Sequence, residues 1–137
     1  FGAKKGFPGF NILIYHGFSY PYYANNVSSL MKAKAMNAPE KIMSYLLKHR
    51  HLAPTNGSAQ YFPSEKDVHL IKEVPDILAS GHTHKGAVAF YNNILLISCA
   101  SWESLTPYQE KFGNEPDFCK VPMLNLKTGV VKILDFE

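Results

Sequence analysis

A chain of 137 residues that is 46% hydrophobic and 18% charged, with 9 Gly and 9 Pro, has the composition of one compact domain, which excludes disorder and low complexity. Its longest purely apolar runs, such as Ile94 to Ile97, fall far below the ~20 residues that cross a bilayer, so no membrane span is expected. The net charge of +3 is a mild excess, and with Arg50 as the single arginine it argues against sequence-specific DNA reading, which leans on bidentate Arg.

Cys99 and Cys119 lie in apolar contexts and are expected to be buried free thiols in a reducing, cytoplasmic compartment. The chain opens on Phe1, not Met, with no apolar stretch behind it, so it reads as a piece of something longer without a signal peptide.

In chain order, Phe10, Ile12, Leu13, Ile14 and Tyr15 form a dense apolar run that ends at His16-Gly17. This is a buried strand delivering His16 to a loop at its carboxyl end. Phe18 to Asn26 is aromatic and irregular, and Val27, Leu30, Met31 and Lys34 suggest a short helix. A clearer helix starts near Pro39, a residue suited to the first helical position, with Glu40 in its first turn and Lys48, His49 and Arg50 in its last. Its buried stripe is Ile42, Met43, Leu46 and Leu47. Leu52-Ala53-Pro54 is expected to stop it, and residues 55–64 form a surface loop. Ile77, Leu78 and Ala79 are a second buried strand that ends at Ser80-Gly81-His82-Thr83-His84. Hairpins follow: Val88–Tyr91 and Ile94–Ser98 flank Asn92-Asn93, and Val121–Leu126 and Val130–Phe136 flank Lys127-Thr128-Gly129.

The chemistry concentrates in the histidines. His82 and His84 put two imidazoles on one side of an extended turn, a spacing that suits chelation of one ion or of two adjacent ones, and Gly81 lets the backbone approach. An isolated His-x-His pair is a weak signal and more often an exposed turn. The strand context adds weight, because His16 occupies the equivalent position on the earlier strand, and open α/β sheets build sites at such strand ends. His49 and His51 suit a helix carboxyl terminus. His69, in Asp67-Val68-His69, formally matches an Asp-x-His metal motif, but the polar Ser64-Glu65-Lys66 before it marks an exposed segment. Gly113-Asn114-Glu115 likewise lacks the His of a Gly-Asn-His motif and reads as a solvated turn.

Several of these features run together: His16-Gly17 after Tyr15, His49-Arg50-His51-Leu52-Ala53-Pro54, Glu73-Val74-Pro75-Asp76, Gly81-His82-Thr83-His84, and Ser101-Trp102-Glu103-Ser104 with Tyr108-Gln109. Together they resemble the calcineurin-like metallophosphoesterase domain of the small subunit of archaeal family-D DNA polymerase, over nearly the whole chain. The resemblance implies an α/β two-sheet sandwich of which residues 1–137 are the C-terminal part, with helices first and antiparallel strands last. It implies a metal-dependent 3′-to-5′ proofreading exonuclease, with His16 and His82 on one divalent ion and His84 on the other. Manganese or magnesium would be the working ions, while zinc or nickel would suit the three imidazoles alone. The implied partners are a large catalytic polymerase subunit, single-stranded or primer-template DNA, and the N-terminal half of the same domain.

The family's upstream motifs, Asp-x-His, Gly-Asp with its bridging carboxylate and Gly-Asn-His with its general-acid His, have no match here. None of Asp67, Asp76, Asp117 and Asp135 stands at a strand end, and two ions ~4 Å apart need a bridging ligand. The chain alone is therefore expected to be inactive and self-associating, with Phe10–Tyr15 and Ile77–Ser80 as exposed strands. Phe112, Tyr108 and Trp102 are candidates to stack a frayed single strand, with a core position favoured for Trp102. Two alternatives stay open: an inactive scaffold like the eukaryotic B-subunits, and a general metallophosphatase.

Overall fold

A computed structural model describes residues 1–60, 63–111, 113 and 115–137, apart from the side chain of residue 108. Elements follow in the order β1 (Ile12–Ile14), α1 (Tyr20–Asn26), α2 (Ser28–Lys32), a 3-10 turn (Ala35–Asn37), α3 (Pro39–His49), β2 (Ile77–Ser80), β3 (Ala87–Tyr91), β4 (Ile94–Ser98), α4 (Pro107–Lys111), β5 (Lys120–Leu124) and β6 (Val131–Asp135). The first four strands form one sheet in the order β1-β2-β4-β3, and β5 and β6 form a separate hairpin. β2 runs parallel to both β1 and β4, while β3 returns antiparallel to β4. The result is an α/β fold with helices toward the N-terminus and mixed β-sheets toward the C-terminus, consistent with part of a two-sheet sandwich.

Burial on both faces explains why β2 and β4 are continuous apolar runs. Side chains alternate across a strand. Leu78, Ile94 and Leu96 therefore pack with Tyr20, Ile42, Met43 and Leu46 of the helical layer. Ile77, Leu95 and Ile97 turn the other way, against Val88, Leu124 and Val131. The helix α3 starts at Pro39 as expected and buries the expected stripe of Ile42, Met43, Leu46 and Leu47. It ends earlier than Leu52, at Arg50, whose left-handed φ of 56° closes the last turn. The Arg50 guanidinium then donates to the carbonyls of Ile71 and Lys72 at 2.8 and 2.6 Å, tying this helix end to the segment that leads into β2.

The hairpin turn at Asn92-Asn93 forms as expected, with φ of 44° and 65° at its two residues, the pair of positive values a two-residue turn demands. The other turn is built differently from the expected three-residue loop. Asn125 accepts the N–H groups of Lys127 and Thr128 on its side-chain oxygen, and its backbone bonds Val130 and Gly129.

Three expectations are corrected. Phe18 to Asn26 is not irregular throughout: Tyr20–Asn26 is helical, because Pro21 starts the helix while Tyr20, Tyr23 and Ala24 recur on one face and are buried. Ile77–Ser80 is not an exposed strand but an interior one, flanked by β1 and β4. Of the two strands expected to be exposed, β1 is the one at an edge, where Ile14 is 78% exposed. Cys99 and Cys119 are free thiols but only half-buried. Among the described residues no helix is long and apolar enough to cross a membrane.

Leu96 is fully buried at the centre of the helix-facing layer. Leu96→Ala is expected to cost about 2–5 kcal/mol in denaturant unfolding, whereas Val68→Ala, at a residue 72% exposed, should change stability by less than about 0.5 kcal/mol.

Candidate metal centre

The parallel pairing of β1 with β2 runs past the ends of both strands. Tyr15 N–H donates to the Ala79 carbonyl at 3.0 Å, and His82 N–H donates to the His16 carbonyl at 2.9 Å. This register carries the two imidazoles to the same carboxyl edge of the sheet, where His16 Nε2 and His82 Nδ1 face each other at 3.0 Å. Gly17 makes the approach sterically feasible. Its φ is +109°, and a Cβ there would lie 2.8 Å from the His82 Cβ and 3.3 Å from the Tyr20 ring. Tyr20 forms the floor beneath, fully buried, with its hydroxyl donating to Ser80 Oγ at 2.8 Å. Burial raises the pKa of that hydroxyl far above the usual phenol range, with the Ser80 hydrogen bond opposing only in part.

His84 lies on the same cavity, an open space of about 620 Å³ whose lining includes His16, His82, Thr83, Glu103 and Gln109. The backbone of His84 is left-handed, with φ of 55°, and it is pinned by His84 N–H to the Gly81 carbonyl and by Asp117 N–H to the His84 carbonyl, both at 2.9 Å. Its ring does not face the His16–His82 pair at bonding distance. His84 Nδ1 instead meets the Gln109 amide nitrogen at 2.8 Å.

The His16–His82 pair suits one ion. Donors about 2.1 Å from a common octahedral ion and about a right angle apart stand about 3.0 Å from each other, which is also the length of the hydrogen bond that joins His16 Nε2 and His82 Nδ1. Burial first, and then the neighbouring His16 and His84, hold the His82 pKa below its ordinary value. The neutral imidazole that results is the form that binds metal. Among the described residues, however, no three His, Cys, Asp or Glu side chains are grouped so that they could hold an ion together. The donor set is therefore a two-nitrogen half-cage.

The aspartates are engaged elsewhere. Asp76 accepts the Asn11 N–H, and Asp117 accepts the Gly86 N–H and pairs with Lys85 at 3.2 Å. Asp67 bonds His51 at 2.7 Å and the His69 N–H at 2.9 Å, and its carboxyl sits below the usual range, chiefly through His51. Asp135 accepts the Glu137 N–H. His49 bonds its own helix at the Tyr45 carbonyl. Of the stacking candidates, Phe112 and the Tyr108 side chain lie outside the described residues, as does Asn114 of Gly113-Asn114-Glu115. Trp102 is not in the core: it is 69% exposed, with its ring 5.8 Å from Phe136.

Three further residues stand near the site to which the sequence pattern alone gives no role. Phe18, 65% exposed, lies 4.5 Å from the His16 ring and 5.7 Å from the His82 ring, centroid to centroid. Glu103 is the carboxylate on the cavity lining. Gln109 lines the same cavity and closes a capping box with Thr106 at the start of α4.

Fold and site together define an α/β domain with a histidine-lined cleft outside the carboxyl ends of parallel strands, where open α/β sheets place their ligands. No protein-family model matches the chain. It is homologous, over 94% of its length, to the DNA polymerase II small subunits of archaea: 38% identical over 130 residues to that of Methanothermobacter thermautotrophicus and 32% identical over 130 residues to that of Thermoplasma acidophilum. The Pyrococcus abyssi protein of the same name is 35% identical over 131 residues. The chain spans about a quarter of the first two relatives, 26% of each, and 20% of the third.

Gly17→Ala is the substitution that should separate the two imidazoles. The contact at 2.8 Å and the positive φ are expected to cost about 1–3 kcal/mol in chemical denaturation. Proton contacts between the His16 and His82 rings should be lost from the nuclear Overhauser spectrum.

Proposed function

We propose that the chain serves DNA replication as part of a polymerase small subunit, and that His16, His82 and His84 contribute to a calcineurin-like metal centre that hydrolyses phosphodiesters as a 3′-to-5′ exonuclease. The observation that carries this reading is the facing of His16 Nε2 and His82 Nδ1 at 3.0 Å, on a cavity that His84 also lines. Homology to the small subunits supports the replicative setting.

His16 and His82 would hold one divalent ion, manganese or magnesium, and His84 would belong to the other. Bound there, such ions would supply activation of water and neutralisation of charge on phosphate. The chain's own part is to orient the donors. The His16 carbonyl fixes the His82 backbone, and burial holds the His82 pKa below its ordinary value, which favours the neutral ring. The carboxylates that complete such a centre would come from the N-terminal half of the domain, and a large polymerase subunit and frayed single-stranded DNA would be the partners. Phe18, exposed beside both rings, offers a face on which a terminal base can stack.

In the full protein with manganese, His82→Ala should lower single-stranded DNA digestion by at least about 100-fold while leaving the far-ultraviolet spectrum intact. His49→Ala, at a ring that bonds the Tyr45 carbonyl of its own helix, should leave digestion unchanged. Equal digestion by the wild type and His82→Ala would refute the metal reading and favour a scaffold. Loss of small-ester cleavage with DNA digestion unaffected would favour a general phosphatase.

A further inference from the structure

The Gln109 side chain links two hydrogen-bonded systems that the fold could have kept apart. Gln109 is buried, with 8% of its surface exposed, so both ends of its amide need partners. Its Oε1 accepts the backbone N–H of Thr106 at 3.0 Å and the Thr106 hydroxyl at 3.1 Å, while Gln109 N–H donates to Thr106 Oγ1 at 3.3 Å. This is a capping box at the start of α4. A backbone N–H can only donate, so the atom it meets is the amide oxygen, and the orientation of the Gln109 side chain follows from that. The amide nitrogen then points at His84 Nδ1, 2.8 Å away, and donates to it. A neutral imidazole that accepts at Nδ1 carries its proton on Nε2.

We infer that Gln109 is a positioning residue that locks the tautomer of His84, with the proton on Nε2, and thereby makes His84 the weaker of the two ion positions. The second half of this inference rests on the metal reading above; the first half does not. Ligation through Nε2 requires the proton to move to Nδ1, where the Gln109 N–H already points. Gln109 would have to turn its amide over and leave the Thr106 N–H facing a nitrogen. Ligation through Nδ1 would instead displace Gln109 altogether. His16 Nε2 and His82 Nδ1 are hydrogen-bonded to each other at 3.0 Å, so an ion between them requires one of the two imidazoles to move its proton to its other ring nitrogen; an ion at His84 requires such a move and the opening of the capping box as well, so the first ion binds between His16 and His82. A carboxylate at the same position removes the conflict: one oxygen keeps the Thr106 N–H, and the other accepts a proton from His84 Nδ1, the arrangement in which second-shell carboxylates strengthen metal-bound histidines.

The test is Gln109→Glu in the full protein, since Glu is as good a capping-box residue as Gln and preserves the start of α4. Long-range proton–nitrogen correlations of ¹⁵N-histidine-labelled, metal-free protein, at a pH where His84 is neutral, report the tautomer directly. The wild type should show His84 with its proton on Nε2, and Gln109→Glu should move it to Nδ1. Manganese titration, read by paramagnetic broadening of the His84 ring signals, should then show the second ion bound about 10- to 100-fold more tightly in Gln109→Glu, with broadening at His16 and His82 unchanged. Gln109→Leu, which fills the volume without a donor, should leave His84 as a tautomer mixture. A wild-type His84 protonated on Nδ1, or a tautomer that Gln109→Glu leaves unmoved, would overturn the lock. A tautomer that moves with no change at all in manganese binding would support the lock and overturn the placement of an ion at His84.

Discussion

One backbone hydrogen bond, from His82 N–H to the His16 carbonyl at 2.9 Å, decides whether the candidate site exists. It is the first rung of the β1–β2 ladder beyond the strands themselves, and it sets two imidazoles from distant parts of the sequence nitrogen to nitrogen at 3.0 Å. Everything else around the site either permits or braces this rung. The missing Cβ of Gly17 permits it, because any side chain there would enter the space of His82. Tyr20 and Ser80 brace it from below through a buried hydrogen bond of 2.8 Å.

The strength of that bracing comes from the burial of the two central strands on both faces. β2 and β4 cannot slide by one residue without exchanging Leu78 and Leu96 for Ile77, Leu95 and Ile97 on the helical side, and with them the two layers they pack against. A histidine placed at the end of such a strand inherits the rigidity of the core, which is what a centre whose donors must stay within a few tenths of an ångström requires. His84 is held otherwise. Its own backbone is left-handed, and it takes its ring orientation from Gln109, on a short helix. The site thus combines a pair of donors fixed by the sheet with a third group fixed by a side-chain hydrogen bond.

The parts of this arrangement that could be read from the chain are those with local causes. The apolar runs at Ile77–Ser80 and Ile94–Ser98, the amphipathic α3 behind Pro39, and the Asn92-Asn93 turn each follow from periodicity or turn chemistry, and each forms. The grouping of His16 with His82 was legible because both follow apolar runs. What escaped depends on tertiary context. The helix α1 looked irregular because its aromatic residues have weak helical preference, and only burial of Tyr20 and Tyr23 against the sheet pays for it. The interior place of β2 needs the strand order, which an apolar run does not encode. Trp102 looked like a core residue by type and is exposed. Gln109 entered only as part of the resemblance, and its role toward His84 requires knowing that α4 packs beside the turn after β2.

The central claim is that His16 Nε2 and His82 Nδ1 face one common ion position, and anomalous diffraction tests it most directly. Crystals of the full protein grown with manganese should give an anomalous peak bonded to both nitrogens at about 2.0–2.3 Å. A manganese peak elsewhere in the protein, with the two rings still 3.0 Å apart and nothing between them, would contradict it.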